Sequence, residues 1–186
     1  MAQLKLDVLT PETAPSSTRE ILVDVKKKYG FQPNLYGVFA HSPAPIKGYL
    51  GLAEAFASSS LSPLEQNVVL LATARANDCF YCVAVHSTVG DMQKHPGDVI
   101  DAIRNDTAIA DPKLEALRRF TQAIVRNRGH VEDAQVTAFI DAGYQAHQAL
   151  EVLVGVSLKT LSNYTNHLTQ PPLDAAFAPR AWSPKK

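Results

Sequence analysis

Between Pro63 and about Ala76 the chain carries Val68-Val69-Leu70-Leu71-Ala72 as an unbroken apolar run. The entrance to this segment is marked: Ser62 suits an N-cap, Pro63 suits the first turn, and Glu65, three residues after Ser62, completes a capping box. A helix that is apolar over most of its circumference has no face to turn to water. Other elements must bury it, so the fold is organised around one central helix.

Those other elements read as helices too. Residues 1–16 are an extended arm, broken by Pro11 and Pro15, and residues 17–186 form a single helical domain ending in a Pro-rich tail. Ile21, Leu22, Val25 and Tyr29 fall at helical spacings from Thr18 to Tyr29, and Gly30 stops that helix. Pro33 opens the next turn, and His41 to Pro45 is a polar break. Ile46 to Phe56 follows with Tyr49, Leu52 and Phe56 on one side. Asn77-Asp78 is expected to cap the helix after the central one, which runs to about Val89. A short helix carries Val99, Ile100 and Ile103, and Asp111-Pro112 opens another with Leu114, Leu117, Phe120, Ile124 and Val125 on its buried stripe. Glu132 to Ala142 is stopped by Gly143. The last helix, from about Gln145 to His167, is assigned an apolar stripe of Leu150, Val154, Leu158, Leu161 and Tyr164, which is either core or a seam between copies of the chain. Phe177 and Trp182 in the tail are expected to pack. No strand alternation appears, so the fold class is all-α.

Charge and hydropathy exclude several functions. Lys plus Arg equals Asp plus Glu at 18 each, which leaves no basic footprint for nucleic acid. The start, Met1 to Asp7, has no apolar core of a leader, and no apolar run reaches the roughly 20 residues that span a bilayer. A cytoplasmic protein without a membrane partner is expected.

Immediately after the central helix comes Cys79-Phe80-Tyr81-Cys82-Val83-Ala84-Val85-His86, which holds both cysteines of the chain. On a helix, Cys79, Cys82 and His86 share one stripe, at i, i+3 and i+7. Neighbours at that spacing can close a disulfide with little backbone movement. A helix start lowers a thiol pKa by about one unit, and a base such as His86 would lower it further. Cys79, nearer the helix start, is expected to be the more exposed. Cys82, one turn from His86, is assigned as the attacking thiol, His86 as the relay of the proton and Cys79 as the resolving thiol. A sulfenic acid on Cys82 would condense with Cys79, and an external reductant would reopen the disulfide. Two other uses of the pair exist: buried structural cysteines, or a metal site. A closed zinc site needs a fourth ligand beyond Cys79, Cys82 and His86, and no second CxxC or HxxxH supplies one, so no metal and no cofactor is expected.

Leu61-Ser62-Pro63-Leu64-Glu65, the apolar helix and the Cys79–His86 segment resemble the core motif of the carboxymuconolactone decarboxylase and AhpD-like alkylhydroperoxidase superfamily. Asn163-Tyr164-Thr165-Asn166-His167, with Pro172-Leu173-Asp174 and Phe177, is similar to the C-terminal part of its peroxidase-related members. The resemblance implies an all-α AhpD-like domain and reduction of a hydroperoxide, organic by preference. It also implies recharging by a lipoyl protein or a thioredoxin-like dithiol, and a homo-oligomer (trimer, hexamer or dimer). In AhpD a glutamate twelve residues before the first cysteine and a histidine directly before the second serve a proton relay. Here Asn67 and Tyr81 stand there. Glu65 is near Asn67 but about 200° away around the helix, and it reads first as a capping residue. Asn163 and His167 read as capping or interface residues. The rival functions are a decarboxylase-like lyase or hydrolase with His86 as general base, and a redox-sensing oligomer without catalysis.

Overall fold

The computed structural model describes residues 4–183. Nine α-helices run along them: α1 Ser16–Tyr29, α2 Asn34–Phe39, α3 Pro43–Ala57, α4 Pro63–Ala76, α5 Phe80–Met92, α6 Gly97–Asn105, α7 Pro112–Arg126, α8 Asp133–Asp141 and α9 Ala146–Thr169. A 3-10 turn follows at Ala175–Arg180, and no strand occurs among the described residues. None of these helices is long and apolar enough to cross a membrane.

α4 is the central element. Ser62 Oγ accepts from Glu65 N–H at 3.3 Å, while Glu65 Oε2 accepts from Ser62 N–H at 2.8 Å, which satisfies two of the orphan donors at the helix start. Val68, Val69, Leu71, Ala72 and Ala74 are fully enclosed. α5, α6, α7 and α9 pack on it from different sides. α3 lies along α9, and α8 along α7, where Phe120, Phe139 and Tyr144 stack with centroids 4.3 and 4.5 Å apart. The crossing of α9 over α3 and α4 is so close that a methyl on Gly155 would sit 2.7 Å from both Phe56 and Val69.

Three expectations change. α3 begins at Pro43, inside the expected break, because prolines at the first positions of a helix block no hydrogen bond that would otherwise form. Asn77-Asp78 does not cap α5. Asp78 takes a left-handed conformation (φ 50°) that ends α4, and Cys79 itself is the extended N-cap residue of α5. The third concerns α9. Its inward face is Val152, Gly155, Leu158, Lys159, Ser162, Asn163 and Asn166. Leu150 and Tyr164, assigned to the stripe, are 65% and 54% exposed.

The first and last described residues are strapped to this body. Leu4 N–H donates to Leu168 O at 2.8 Å, and Leu9 N–H to Gly37 O at 3.3 Å. Phe177 is buried near α5, and the Arg75 guanidinium lies 5.0 Å above the Trp182 ring. Arg180 grips Asp91 (2.6 Å) and Asp101 (2.9 Å).

Candidate active site

The link between α4 and α5 decides where the dithiol points. Asp78 is held by Arg75 at 2.7 Å, Cys79 N–H donates to Ala74 O at 3.0 Å, and Val83 N–H donates to Cys79 O at 3.0 Å. Asn77 Nδ2 donates to Asn163 Oδ1 on α9 at 3.0 Å. The reversal turns Cys79 and Cys82 inward, against α9. Both are free thiols and both are buried, at 0% and 1% exposure. The expected exposure of Cys79 is therefore wrong: as N-cap it lies beneath the turn rather than on it.

The two sulfurs share a donor. Asn166 Nδ2 lies 3.2 Å from Cys82 Sγ and 3.8 Å from Cys79 Sγ. Cys82 Sγ also meets Ser162 Oγ at 3.8 Å. Lys159, one turn before Asn163, is only 1% exposed and lines the same cavity as Cys82. Burial opposes ionisation of Cys82, but the Cys79 thiol, the Lys159 ammonium, Ser162 and Asn163 outweigh it and hold its pKa below the ordinary thiol range. Cys79 moves the other way: its bond to Cys82, then burial, push its pKa up. The pair is thus polarised into one thiolate and one thiol, with the thiolate on Cys82.

A cavity of about 350 Å³ opens on Cys82 and not on Cys79. Tyr29, Phe31, Tyr36, Tyr49, Phe56 and Phe177 give it aromatic walls, and Asn67, His86 and Lys159 are among its few polar groups. This is the composition of a small-molecule site: apolar walls with a few convergent polar atoms.

The other expected residues fall in different places. His86 faces the cavity, but no hydrogen bond joins it to either sulfur. Its Nε2 is buried without a partner. Burial, then Lys159, hold its pKa well below the ordinary histidine value, so it is neutral near pH 7. Asn67 is buried; its Nδ2 donates to His86 O at 3.2 Å, and its Oδ1 is unpartnered beside the cavity. Tyr81 lines the cavity, but its hydroxyl is committed: it donates to Asp174 and accepts from Leu35 N–H at 3.3 Å. Asp174 in turn accepts from Asn34 N–H at 3.0 Å, so Tyr81 fastens α2 and the tail to α5. Glu65 is outside the cavity, in its capping box and 3.3 Å from Lys113. Asn163 is fully buried beneath the dithiol, not at a helix cap or interface. His167 is exposed.

Among solved structures, one described as the alkylhydroperoxidase AhpD core, an uncharacterized peroxidase-related protein from Ralstonia eutropha JMP134, superposes with a TM-score of 0.81. The two are 22% identical, over 93% of this chain and 93% of that one. This chain has the AhpD-like fold. A second neighbour, an uncharacterized peroxidase-related protein from Silicibacter sp. TM1040, gives 0.79 at 17% identity, covering 95% of this chain and 93% of the other. The debrominase Bmp8 in complex with 2,3,4-tribromopyrrole gives 0.74 at 14%, over 89% of each chain. No protein-family model matches the sequence, and no curated protein matches it. The AhpD-like fold thus hosts more than one chemistry, and the side chains of this chain must decide between them.

Periodicity in the sequence missed Lys159, Ser162 and Asn166. Their signal was present: Gly155, Lys159, Ser162 and Asn166 recur at helical spacing from one apolar face, with Val152 and Leu158 beside them. A lysine in such a series is either a solvated head on a long stem or a buried charge with a purpose, and only packing separates the two.

Proposed function

We propose that this protein is a thiol oxidoreductase that reduces an organic hydroperoxide through a Cys79/Cys82 dithiol–disulfide cycle. The observation that carries the reading is the asymmetry of the pair: Cys82 alone lines the cavity and is held as the thiolate, while Cys79 sits behind it as the thiol. The Cys82 thiolate attacks the terminal peroxide oxygen, the O–O bond breaks, and an alcohol leaves. Cys79 then displaces water from the sulfenic acid to form the disulfide. An external dithiol, of lipoyl or thioredoxin-like type, restores the pair. Aromatic walls favour a bulky apolar peroxide over hydrogen peroxide.

The test is cumene hydroperoxide added to reduced protein. A Cys79–Cys82 disulfide forms, and turnover follows when dihydrolipoamide is present. Cys79→Ser stops at a sulfenic acid that dimedone traps. Undiminished turnover by Cys82→Ser would overturn the mechanism.

A second reading has one observation behind it. The aromatic cavity and the debrominase neighbour suit reductive removal of a halogen from a small aromatic ring by the same dithiol. Halide release from a bromopyrrole, with loss of the free thiols, separates it from peroxide reduction. The lyase reading with His86 as base predicts activity that survives loss of both cysteines and dies with His86→Ala. We also propose a homo-oligomer: Leu150, Leu153, Tyr164 and Leu168 form an exposed apolar strip along α9 that a second copy would cover.

A further inference from the structure

Lys159 is the only Lys, Arg, Asp or Glu among the described residues that line the cavity. It is 1% exposed, and no carboxylate among those residues lies within ion-pair distance of it. An isolated buried ammonium is costly and tends to shed its proton unless an anion stands beside it. The ionisable groups facing it are Cys79, Cys82 and His86 from α5 and Tyr49 from α3, with Tyr36 and Tyr81 further along the wall. Of these, only the Cys82 thiol ionises readily below pH 8, since burial pushes the three tyrosines up.

We propose that Lys159 is the counter-cation of the Cys82 thiolate and the acid that protonates the oxygen leaving when that thiolate is oxidised. The second role rests on the peroxidase reading above; the first does not. The other residues at the site are poor donors. His86 is neutral and has no spare proton to lend without becoming an anion. Asn67 is an amide, and the Tyr81 hydroxyl is held by Asp174.

The protons balance. The thiolate and a peroxide ROOH give the sulfenic acid and RO⁻, which takes a proton from Lys159 to leave as ROH and a neutral amine. The thiolate charge has then been consumed, and in an apolar site the neutral amine is the stable form. Cys79 and the sulfenic acid give the disulfide and water. Reduction by an external dithiol returns two thiols, and the Cys82 proton passes back to Lys159. The device does the work that a glutamate–histidine relay would do from the positions occupied here by Asn67 and Tyr81.

The experiment is alkylation of Cys82 by iodoacetamide in the full-length reduced protein, followed from pH 5 to 10 by mass spectrometry, in wild type, Lys159→Met and Lys159→Arg. In wild type the rate is half-maximal below about pH 7, within the range of activated thiols. Lys159→Met moves the midpoint to higher pH, and once it lies above pH 6.5 the rate at that pH falls about tenfold for every further pH unit. Lys159→Arg keeps a midpoint near wild type. At pH 9.5, where alkylation of Lys159→Met has recovered, its oxidation by cumene hydroperoxide stays at least about tenfold below wild type, the lower range of acid catalysis. Identical alkylation profiles in wild type and Lys159→Met overturn the counter-cation. Equal peroxide rates at pH 9.5 overturn the acid. A wild-type midpoint above pH 8 overturns the proposal even if Lys159→Met does not fold. A low wild-type midpoint, raised by Lys159→Met, with no peroxide oxidation in wild type leaves the counter-cation standing and removes the peroxidase reading together with the acid role.

Discussion

Asn166 Nδ2 stands 3.2 Å from the Cys82 sulfur, donating from the last full turn of α9 to the first turn of α5. A hydrogen bond to a charged acceptor contributes about 1.5–3 kcal/mol, roughly twice a neutral one. Asn166→Leu is expected to raise the midpoint of Cys82 alkylation by about one to two pH units, with full rate recovered at high pH. Asn166→Asp puts a carboxylate at the sulfur and is expected to do worse at every pH. A pH profile unchanged in both variants would show that this bond does not tune the thiol.

His86 makes stability depend on pH. Burial holds its native pKa well below the value of about 6.5 expected in the unfolded chain. Below that value the unfolded chain binds a proton that the native state refuses, so stability is complete above pH 6.5 and falls as pH drops. The slope reaches at most about 1.4 kcal/mol per pH unit for one proton. Urea midpoints at pH 5 and pH 7 measure it, and His86→Gln flattens the difference.

Gly155 has no room for a methyl. Its added carbon would meet Phe56 and Val69 at 2.7 Å, on two different helices. Gly155→Ala is expected to cost about 1–3 kcal/mol despite the better helix propensity of alanine. Phe56→Leu in the same chain should return part of the loss. A melting temperature equal to wild type in the single variant contradicts the close crossing.

Tyr81→Phe deletes the hydroxyl that donates to the buried Asp174 and accepts from Leu35 N–H. Leaving those groups short of a partner costs about 1–3 kcal/mol. Limited proteolysis should cut the tail near Asp174 faster in this variant. The pH profile of Cys82 alkylation should hardly move, because the Tyr81 hydroxyl touches neither sulfur. A large change in that profile would return Tyr81 to the proton relay.

Much of this architecture is legible in the amino-acid sequence. A run apolar over most of its circumference, with Ser62, Pro63 and Glu65 at its start, reads as a buried central helix, because its capping signals and its near-lack of a polar face are local properties. The clustering of both cysteines after it was equally plain. For α9 the pattern misled in a specific way. Periodicity assigns polar side chains to solvent, so an apolar stripe through Leu150 and Tyr164 reads as core or seam, whereas those two are exposed and the polar series Lys159, Ser162 and Asn166 faces inward. The rule breaks where a site needs buried polar groups, since their burial is compensated by partners distant in the chain.

By itself the sequence determined a helical chain with one enclosed helix and a dithiol at the start of the next, because caps, periodicity and i, i+3 spacing act over a few residues. Only the tertiary structure decided which sulfur faces the cavity and what surrounds it. Lys159 and Asn166 lie 77 and 84 positions from Cys82 in the chain, and nothing local to either stretch encodes their meeting. It follows from α9 crossing α4 and α5, a packing set by Gly155 and by the left-handed turn at Asp78.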